Sequence, residues 1–277
     1  MNYEKEEQSS IQKELLHSAL HDFLYQETKT FFNSASKSNF EINELSPADK
    51  SNKIHAKMPW LTEINDNYFE FRRPAPDTIV LSFMFSFLLI PCLLSSVLFL
   101  TSGKIMVIPD IFFLLALYIS LFSVRYSFFT PQAMPVRFNR KNKKIYFLER
   151  KVRKNIFARW PLSVKKMDFE NVRAWHVSMA SSRGASYHAV HLVEFTPDGN
   201  NIICQAPLYV CRKPLSPKKM YEEFEYIYSI WVYCQKYMNK KPVSYSFKNN
   251  PSPQILANNW LAKWPADIDK ESRSITG

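Results

Sequence analysis

Long apolar stretches dominate the middle of the chain. Residues 78–101 contain no charged side chain, and residues 110–128 form a second run in which only Asp110 and Arg125 are charged. Each run is close to the ~20 apolar residues that an α-helix needs to cross a membrane. Residues 102–109 join the two runs, so the pattern predicts a transmembrane helical hairpin over residues 77–129. The alternative is a buried helical hairpin in the core of a globular domain.

Before this hairpin, the apolar positions follow a helical period. In residues 10–33 they recur at spacings of three and four, which predicts an amphipathic helix within an N-terminal region that spans residues 1–76. Residues 34–57 are rich in Ser, Asn and Lys, a composition typical of a loose linker.

After the hairpin, the period changes to two. Alternating apolar and polar residues predict six or seven antiparallel strands within residues 130–245, with a strong turn signal at residues 197–200. Ser216 and Pro217 then open a predicted helix over residues 216–239, and residues 246–277 form a polar tail. The predicted fold class is a membrane α-hairpin plus α+β: two transmembrane helices (78–101 and 110–128) followed by a pleckstrin-homology-like antiparallel β domain with a C-terminal helix.

Charge is distributed unevenly along the chain. The formal net charge is +11, and the basic excess lies after residue 129. Because basic residues flank the outer ends of both spans, both termini are expected in the cytoplasm. The densest basic cluster is a candidate contact for anionic lipid headgroups. It comprises Arg137, Arg140, Lys141, Lys143 and Lys144. A basic face also suits nucleic acid, but no nucleic-acid motif is present, so no nucleic-acid partner is expected.

Aromatic residues add a second set of candidate contacts. Trp60, Trp260 and Trp264 are suited to a membrane interface or to a partner surface.

Residues that could carry chemistry are few and scattered. His17 and His21 have a helical spacing that can bind a metal, but no third ligand is evident, which favours the polar side of an amphipathic helix. The serine-rich segment 178–186 suits either a phosphate-like ligand or a connection between strands. The four glycines form no phosphate-binding loop. We therefore expect no catalytic site, no cofactor and no metal.

Three segments carry a resemblance to a known family. They are PVRFNRK at 135–141, KIYF at 144–147 and WVYCQKYM at 231–238, with Pro242 behind the last. Over residues 60–245 the chain resembles uncharacterised bacterial inner-membrane proteins that are often encoded beside type VI secretion and polymorphic toxin genes. The resemblance implies an inner-membrane location and a role in an effector and immunity locus. It implies no catalytic residues.

Two functional hypotheses follow. The first is an inner-membrane immunity or accessory protein of a type VI secretion effector, which acts by binding the toxin and has no catalytic activity. The second is a membrane-tethered scaffold or sensor whose β domain binds anionic lipid or a protein partner. A homo-oligomer is compatible with both hypotheses, and a membrane-anchored enzyme has the least support.

Overall fold

Two antiparallel β-sheets form the body of the protein. The computed structural model describes residues 15, 17–25, 40–45, 58, 61–74, 114–115, 117–125, 133–151, 158, 160–180, 186–211, 217–243 and 262–273. The strands are β1 (Phe40–Glu44), β2 (Leu61–Ile64), β3 (Tyr68–Pro74), β4 (Ala133–Asn139), β5 (Lys144–Arg150), β6 (Leu162–Asp168), β7 (Val172–Ala180), β8 (Ser186–Phe195) and β9 (Ile202–Cys211). The helices are α1 (described at 17–25), α2 (described at 117–125), α3 (Pro217–Met238) and α4 (Ala266–Arg273).

The strand order joins distant parts of the chain. The four-stranded sheet has the order β1-β7-β8-β9, and the five-stranded sheet has the order β2-β3-β4-β5-β6. Strands that precede the apolar runs therefore complete both sheets, since β1 pairs with β7 and β3 pairs with β4. The segment expected to be a loose linker supplies β1.

The main core lies between the two sheets and includes α3. On the five-stranded sheet, cross-strand pairing aligns Phe69, Phe138, Ile145 and Met167 in one buried row. The Phe69 ring stacks on Phe138 at 4.9 Å and meets the edge of Tyr237 of α3 at 4.7 Å. Alternate residues of these strands consequently face the core, as the period-two pattern requires.

A second apolar cluster lies on the outer side of the four-stranded sheet. Leu20 and Leu24 of α1 pack there against Phe40, Trp175 and Val177. The opposite face of the same sheet contributes to the main core, so this sheet is covered on both sides.

Polar side chains also connect the sheets at their edges. Arg73 of β3 donates to the carbonyl oxygen of Pro207 in β9, and its guanidinium lies 5.0 Å from the Phe147 ring. Burial lowers the pKa of Arg73 to about 10, with the nearby Glu149 carboxylate opposing that shift. Lys165 of β6 bridges the same gap with a 2.9 Å hydrogen bond to the carbonyl oxygen of Gln205. These bonds fix β9 against the five-stranded sheet.

The predicted fold class is wrong. Within the described ranges, no helix is both long and apolar enough to cross a membrane. This finding overturns the two-helix transmembrane hairpin, the integral membrane partner and the inner-membrane location with cytoplasmic termini. Residues 78–101 lie outside the described residues, and only part of 110–128 is described.

Contacts within the protein explain part of the error. In α2, Ser120 and Ser123 are buried. Arg125 donates to the carbonyl oxygen of Ala158 at 2.9 Å and stacks 4.6 Å from the Trp160 ring. This helix therefore packs against a later part of the chain, which its apolar composition does not reveal.

The expected pleckstrin-homology-like barrel is wrong as well, because the strands form two sheets that require β1, β2 and β3. The predicted β domain began at residue 130 and therefore omitted these three strands. At the level of single elements, the strand pattern after residue 133 and the helix from Pro217 agree with the structure.

Candidate functional site

The outer face of the five-stranded sheet carries a line of polar side chains. Glu70 lies opposite Arg137, Arg137 lies opposite Tyr146, and Tyr146 lies opposite Lys166. Because directly paired residues point to the same side of a sheet, these four side chains share one face. We call Glu70, Arg137, Tyr146 and Lys166 the polar row. The adjacent positions on each strand face the apolar core, so strand alternation itself creates this polar surface.

Arg137 is the centre of the polar row and is fully buried. Its Nε and Nη2 atoms donate to one carboxylate oxygen of Glu70 at 3.1 and 2.6 Å. Its Nη1 atom donates to Asp269 at 2.9 Å and also to the Ser272 hydroxyl. Charge-assisted bonds of this kind are roughly twice as strong as neutral ones. The guanidinium is thus shared between the sheet and helix α4.

Two aromatic rings enclose the same guanidinium. The Tyr68 and Trp264 ring centroids each lie 4.9 Å from the central carbon of Arg137. A planar guanidinium stacks well on aromatic faces, which a lysine ammonium does less effectively. The Trp264 indole N–H also donates to the Glu70 carboxylate at 2.9 Å. The site therefore holds Arg137 both by charge and by aromatic contact.

Helix α4 occupies the polar row through its own carboxylates. Glu271 accepts a 2.6 Å hydrogen bond from Lys166 and a 3.2 Å bond from the Tyr146 hydroxyl. The bond from Lys166 holds the pKa of Glu271 below its ordinary value. Burial alone would raise the pKa of Asp269, but hydrogen bonds from Arg273 and Arg137 lower it overall. Both carboxyl groups are consequently ionised near neutral pH, as the contacts require.

The β4–β5 turn supports the same docking. The Asn139 side-chain oxygen accepts from the amides of Lys141 and Asn142 at 2.9 and 2.8 Å, which fixes the turn. The amide nitrogen of the Asn139 side chain donates to the carbonyl oxygen of Ser272 at 2.8 Å. One side chain therefore links the turn geometry to the end of α4.

The tyrosines of the site remain hydrogen-bond donors. Burial raises the pKa of Tyr68 to about 12, helped by its hydrogen bond to Glu63. Burial also raises the pKa of Tyr146 to about 12, with the Glu271 charge as the next cause. Neither hydroxyl ionises at physiological pH. The chemistry available to the polar row is thus recognition of carboxylates and hydroxyls.

The structure distributes the five basic candidates over different environments. Arg137 is inside the protein, whereas Arg140 pairs with Asp66 at 3.1 Å and lies 4.9 Å from the Tyr237 ring. Lys141 is exposed, and Lys144 lies half-buried in β5. Lys143 has a positive φ of 54° and donates to the carbonyl oxygen of Met238 at 3.1 Å. Arg137 is fully buried beneath α4, and headgroup binding by the five residues stays a prediction.

The tryptophan and histidine candidates do not share one site in the described residues. Trp264 belongs to the site, whereas Trp60 and Trp260 lie outside the described residues. His21 contacts the carbonyl oxygen of Phe40 at 3.4 Å, and the His17 ring lies 5.9 Å from the Trp175 ring. In the part of the chain that the structure describes, no group of three His, Cys, Asp or Glu side chains is arranged to hold a metal.

The sequence interpretation missed the acidic half of the site. Glu70, Asp269, Glu271 and Ser272 supply most of the partners of Arg137 and Lys166. A usable signal was present in the tail, where Pro265 precedes a short run with acidic residues in its first turn and basic residues in its last turn. That pattern is typical of a helix of its own.

Comparison with known proteins places the chain in a family without assigning a role. The model of DUF6708, a family of unknown function, matches residues 113–276. This match covers more than half of the chain, so the chain belongs to that family. The expectation of an uncharacterised family is confirmed to this extent. No curated protein and no solved structure matches the chain.

Proposed function

We propose that this DUF6708 member is a binding protein without catalytic activity that serves as an immunity or accessory protein of a type VI secretion effector. It acts by binding the toxin. The observation that carries the binding function is the occupation of the polar row by a polar helix, α4, through paired carboxylates. The effector context rests on the resemblance of residues 135–141, 144–147 and 231–238 to proteins encoded beside such genes.

The geometry of the polar row favours recognition of a protein segment. Arg137 presents its donors in a fixed direction because Glu70, Tyr68 and Trp264 all contact its guanidinium. Preorganised donors lose little conformational entropy when a carboxylate binds, which improves affinity. Arg and aromatic residues are also the residue types that dominate the energetics of protein interfaces. These properties support a binding role centred on this face.

The test is a competition experiment between sister cells. The gene for this chain is deleted, and the strain is grown with wild-type sister cells that deliver the candidate effector. If the protein confers immunity, the deletion strain dies and expression of this chain alone rescues it. Survival of the deletion strain, with delivery of the effector confirmed, contradicts the proposal.

A direct binding measurement complements this experiment. The purified effector and the full chain are mixed, and complex formation is followed by size-exclusion chromatography. We expect a complex with the wild-type chain. If rescue occurs while the two purified proteins do not associate, protection by direct binding is wrong.

A further inference from the structure

Helix α4 is held on the sheet mainly by polar contacts. Of its eight residues, Ile268 and Ser272 are buried. The Lys166–Glu271 pair at 2.6 Å has both side chains more than one third exposed, and the Arg273–Glu63 pair at 3.6 Å is similarly exposed. Ion pairs in contact with water are weakened by salt and contribute little on balance. Because α4 buries few side chains and its outer ion pairs are weak, its docked position is weakly held and sensitive to charge.

The position of α4 in the chain allows it to leave the sheet. Among the described elements it comes last and contributes no strand, and residues 239–265 connect it to α3. Undocking would leave the described strand pairings intact. It would remove the Asp269 and Ser272 partners of Arg137 and the Glu271 partner of Lys166 and Tyr146. In the vacated polar row Arg137 would keep its two bonds to Glu70, but its Nη1 atom, Lys166 and Tyr146 would lose the acceptors that α4 supplies.

We propose that α4 is a displaceable occupant of the polar row, and that the partner protein inserts an acidic helical segment in its place. The pattern of α4 defines what this segment must offer. It carries a carboxylate at the position of Asp269, a second carboxylate two residues later and a hydroxyl three residues later, as Glu271 and Ser272 do. This inference deepens the proposed binding function and rests on it.

Charge complementarity selects this chemistry over a basic or apolar segment. A basic segment would place like charges against Arg137 and Lys166. An apolar segment would leave the Nη1 donors of Arg137 buried and unpaired, and unpaired buried donors are penalised strongly. Only a segment with carboxylates repeats the bonds that α4 makes.

The experiment measures binding of a fluorescent peptide with the sequence of residues 262–273 to the full chain. In the Asp269→Lys/Glu271→Lys variant, the chain's own helix repels Arg137 and Lys166, so the polar row is open. We expect the peptide to bind this variant at least about tenfold more tightly than the wild-type chain, where the tethered helix competes at high effective concentration. Fluorescence anisotropy gives both affinities.

Two controls isolate the polar row. The Asp267→Lys variant changes charge at an exposed position of the same helix and should resemble the wild type. A peptide carrying the two lysines should not bind the open variant. Equal binding of the acidic peptide to all three chains, or binding to none of them when circular dichroism shows a folded variant, overturns the proposal.

A measurement on the wild-type chain keeps the test valid if the variant fails to fold. Trypsin cleaves after Lys270 only when α4 is released from the sheet. Raising NaCl from about 50 to about 500 mM should speed this cleavage roughly threefold or more, because salt screens the ion pairs. A cleavage rate that does not respond to salt, while a free peptide substrate is cleaved equally in both buffers, contradicts a displaceable helix.

The outcomes separate this inference from the proposed function. If the peptide binds the open variant but the chain gives no rescue in the competition experiment, displacement of α4 is supported and the immunity role is contradicted. Rescue without peptide binding or salt-dependent cleavage retains immunity and removes the displacement.

Discussion

Replacing Arg137 with Met removes the guanidinium while keeping most of the volume of the side-chain stem. Glu70 then loses two charge-assisted bonds, at 3.1 and 2.6 Å. It retains the 2.9 Å bond from the Trp264 indole N–H. The Glu70 side chain is only 8% exposed, so water cannot replace the lost donors without a rearrangement of α4. The variant therefore contains a buried carboxylate without its counter-charge.

The expected cost follows from this burial. Removing one partner of a buried ion pair reduces the free energy of unfolding by about 3–5 kcal/mol. Asp269, the other carboxylate bound to Arg137, is 37% exposed and can be hydrated, so its contribution is about 0–1 kcal/mol. We expect the free energy of unfolding of the Arg137→Met variant to fall by about 3–6 kcal/mol in total.

A second substitution tests whether the unpaired Glu70 carboxylate causes the loss of stability. In Arg137→Met/Glu70→Met both charges are absent, and the main remaining penalty is the indole N–H of Trp264, which costs about 1–3 kcal/mol. The double variant should therefore be more stable than the single variant. As a matched control, Arg173→Met removes an arginine that is half-exposed and 4.0 Å from Glu44, which should cost less than about 1 kcal/mol.

Urea unfolding of the full chain, followed by tryptophan fluorescence and circular dichroism, measures these differences. The two probes must give the same transition before free energies are compared. The buried ion pair is not the cause if the free energy of unfolding of Arg137→Met lies within about 1 kcal/mol of the wild-type value. It is also not the cause if the double variant is as unstable as the single variant.

Two further predictions concern the four-stranded sheet. Gly199 has a φ of +74°, and an added Cβ would meet Arg173 at an ordinary 3.9 Å, so the cost of Gly199→Val is backbone strain of about 1–2 kcal/mol. Gly199→Asn should cost less, and equal urea midpoints for the two variants would exclude this explanation. Burial lowers the pKa of His176 and of His191 to about 4, in His176 with help from His188. The unfolded chain therefore binds more protons between pH 6.5 and 4, and the melting temperature should fall as pH drops through this window. His176→Gln/His191→Gln should flatten the fall, and an unchanged slope would rule out these histidines as its cause.

Local patterns were sufficient for elements whose partners are near in sequence. The alternation of Val136 and Phe138 indicated β4, and the turn at residues 197–200 correctly separated β8 from β9. Ser216 and Pro217 marked the start of α3 within one residue. In each case the signal and the structure it specifies lie within a few residues of each other.

These local patterns did not predict elements whose partners are distant in sequence. β1 has the sequence FEINE, with two buried apolar side chains, and it becomes a strand because β7 supplies its hydrogen bonds. Propensity is a weak guide where tertiary pairing decides the conformation. The apolar run that contains α2 likewise does not reveal whether protein covers it.

The candidate site likewise depends on partners that are distant in sequence. The basic segment that begins at Arg137 within β4 suggested a surface, because long charged side chains are rarely buried. Alternation does place Arg137 and Asn139 on the face opposite the core, and among the described residues α4 and the preceding Trp264 cover that face. A short polar helix in the tail gives little apolar signal, so the burial of Arg137 could not be read from the residues around it.

Because β1 pairs with β7, β1 must wait during synthesis until its partner strand has been made. Ribosomes add roughly 5–20 residues per second, and on the order of 130 residues separate the two strands, so β1 waits about 6–26 seconds for its partner. During that interval β1 has unsatisfied backbone groups available to any other strand. Three of its five residues are exposed in the finished sheet, and two of these are glutamates, which oppose pairing with other copies through mutual repulsion. The same sparse apolar content that hid this strand in the sequence thus opposes the pairing of β1 with other copies before its sheet can close.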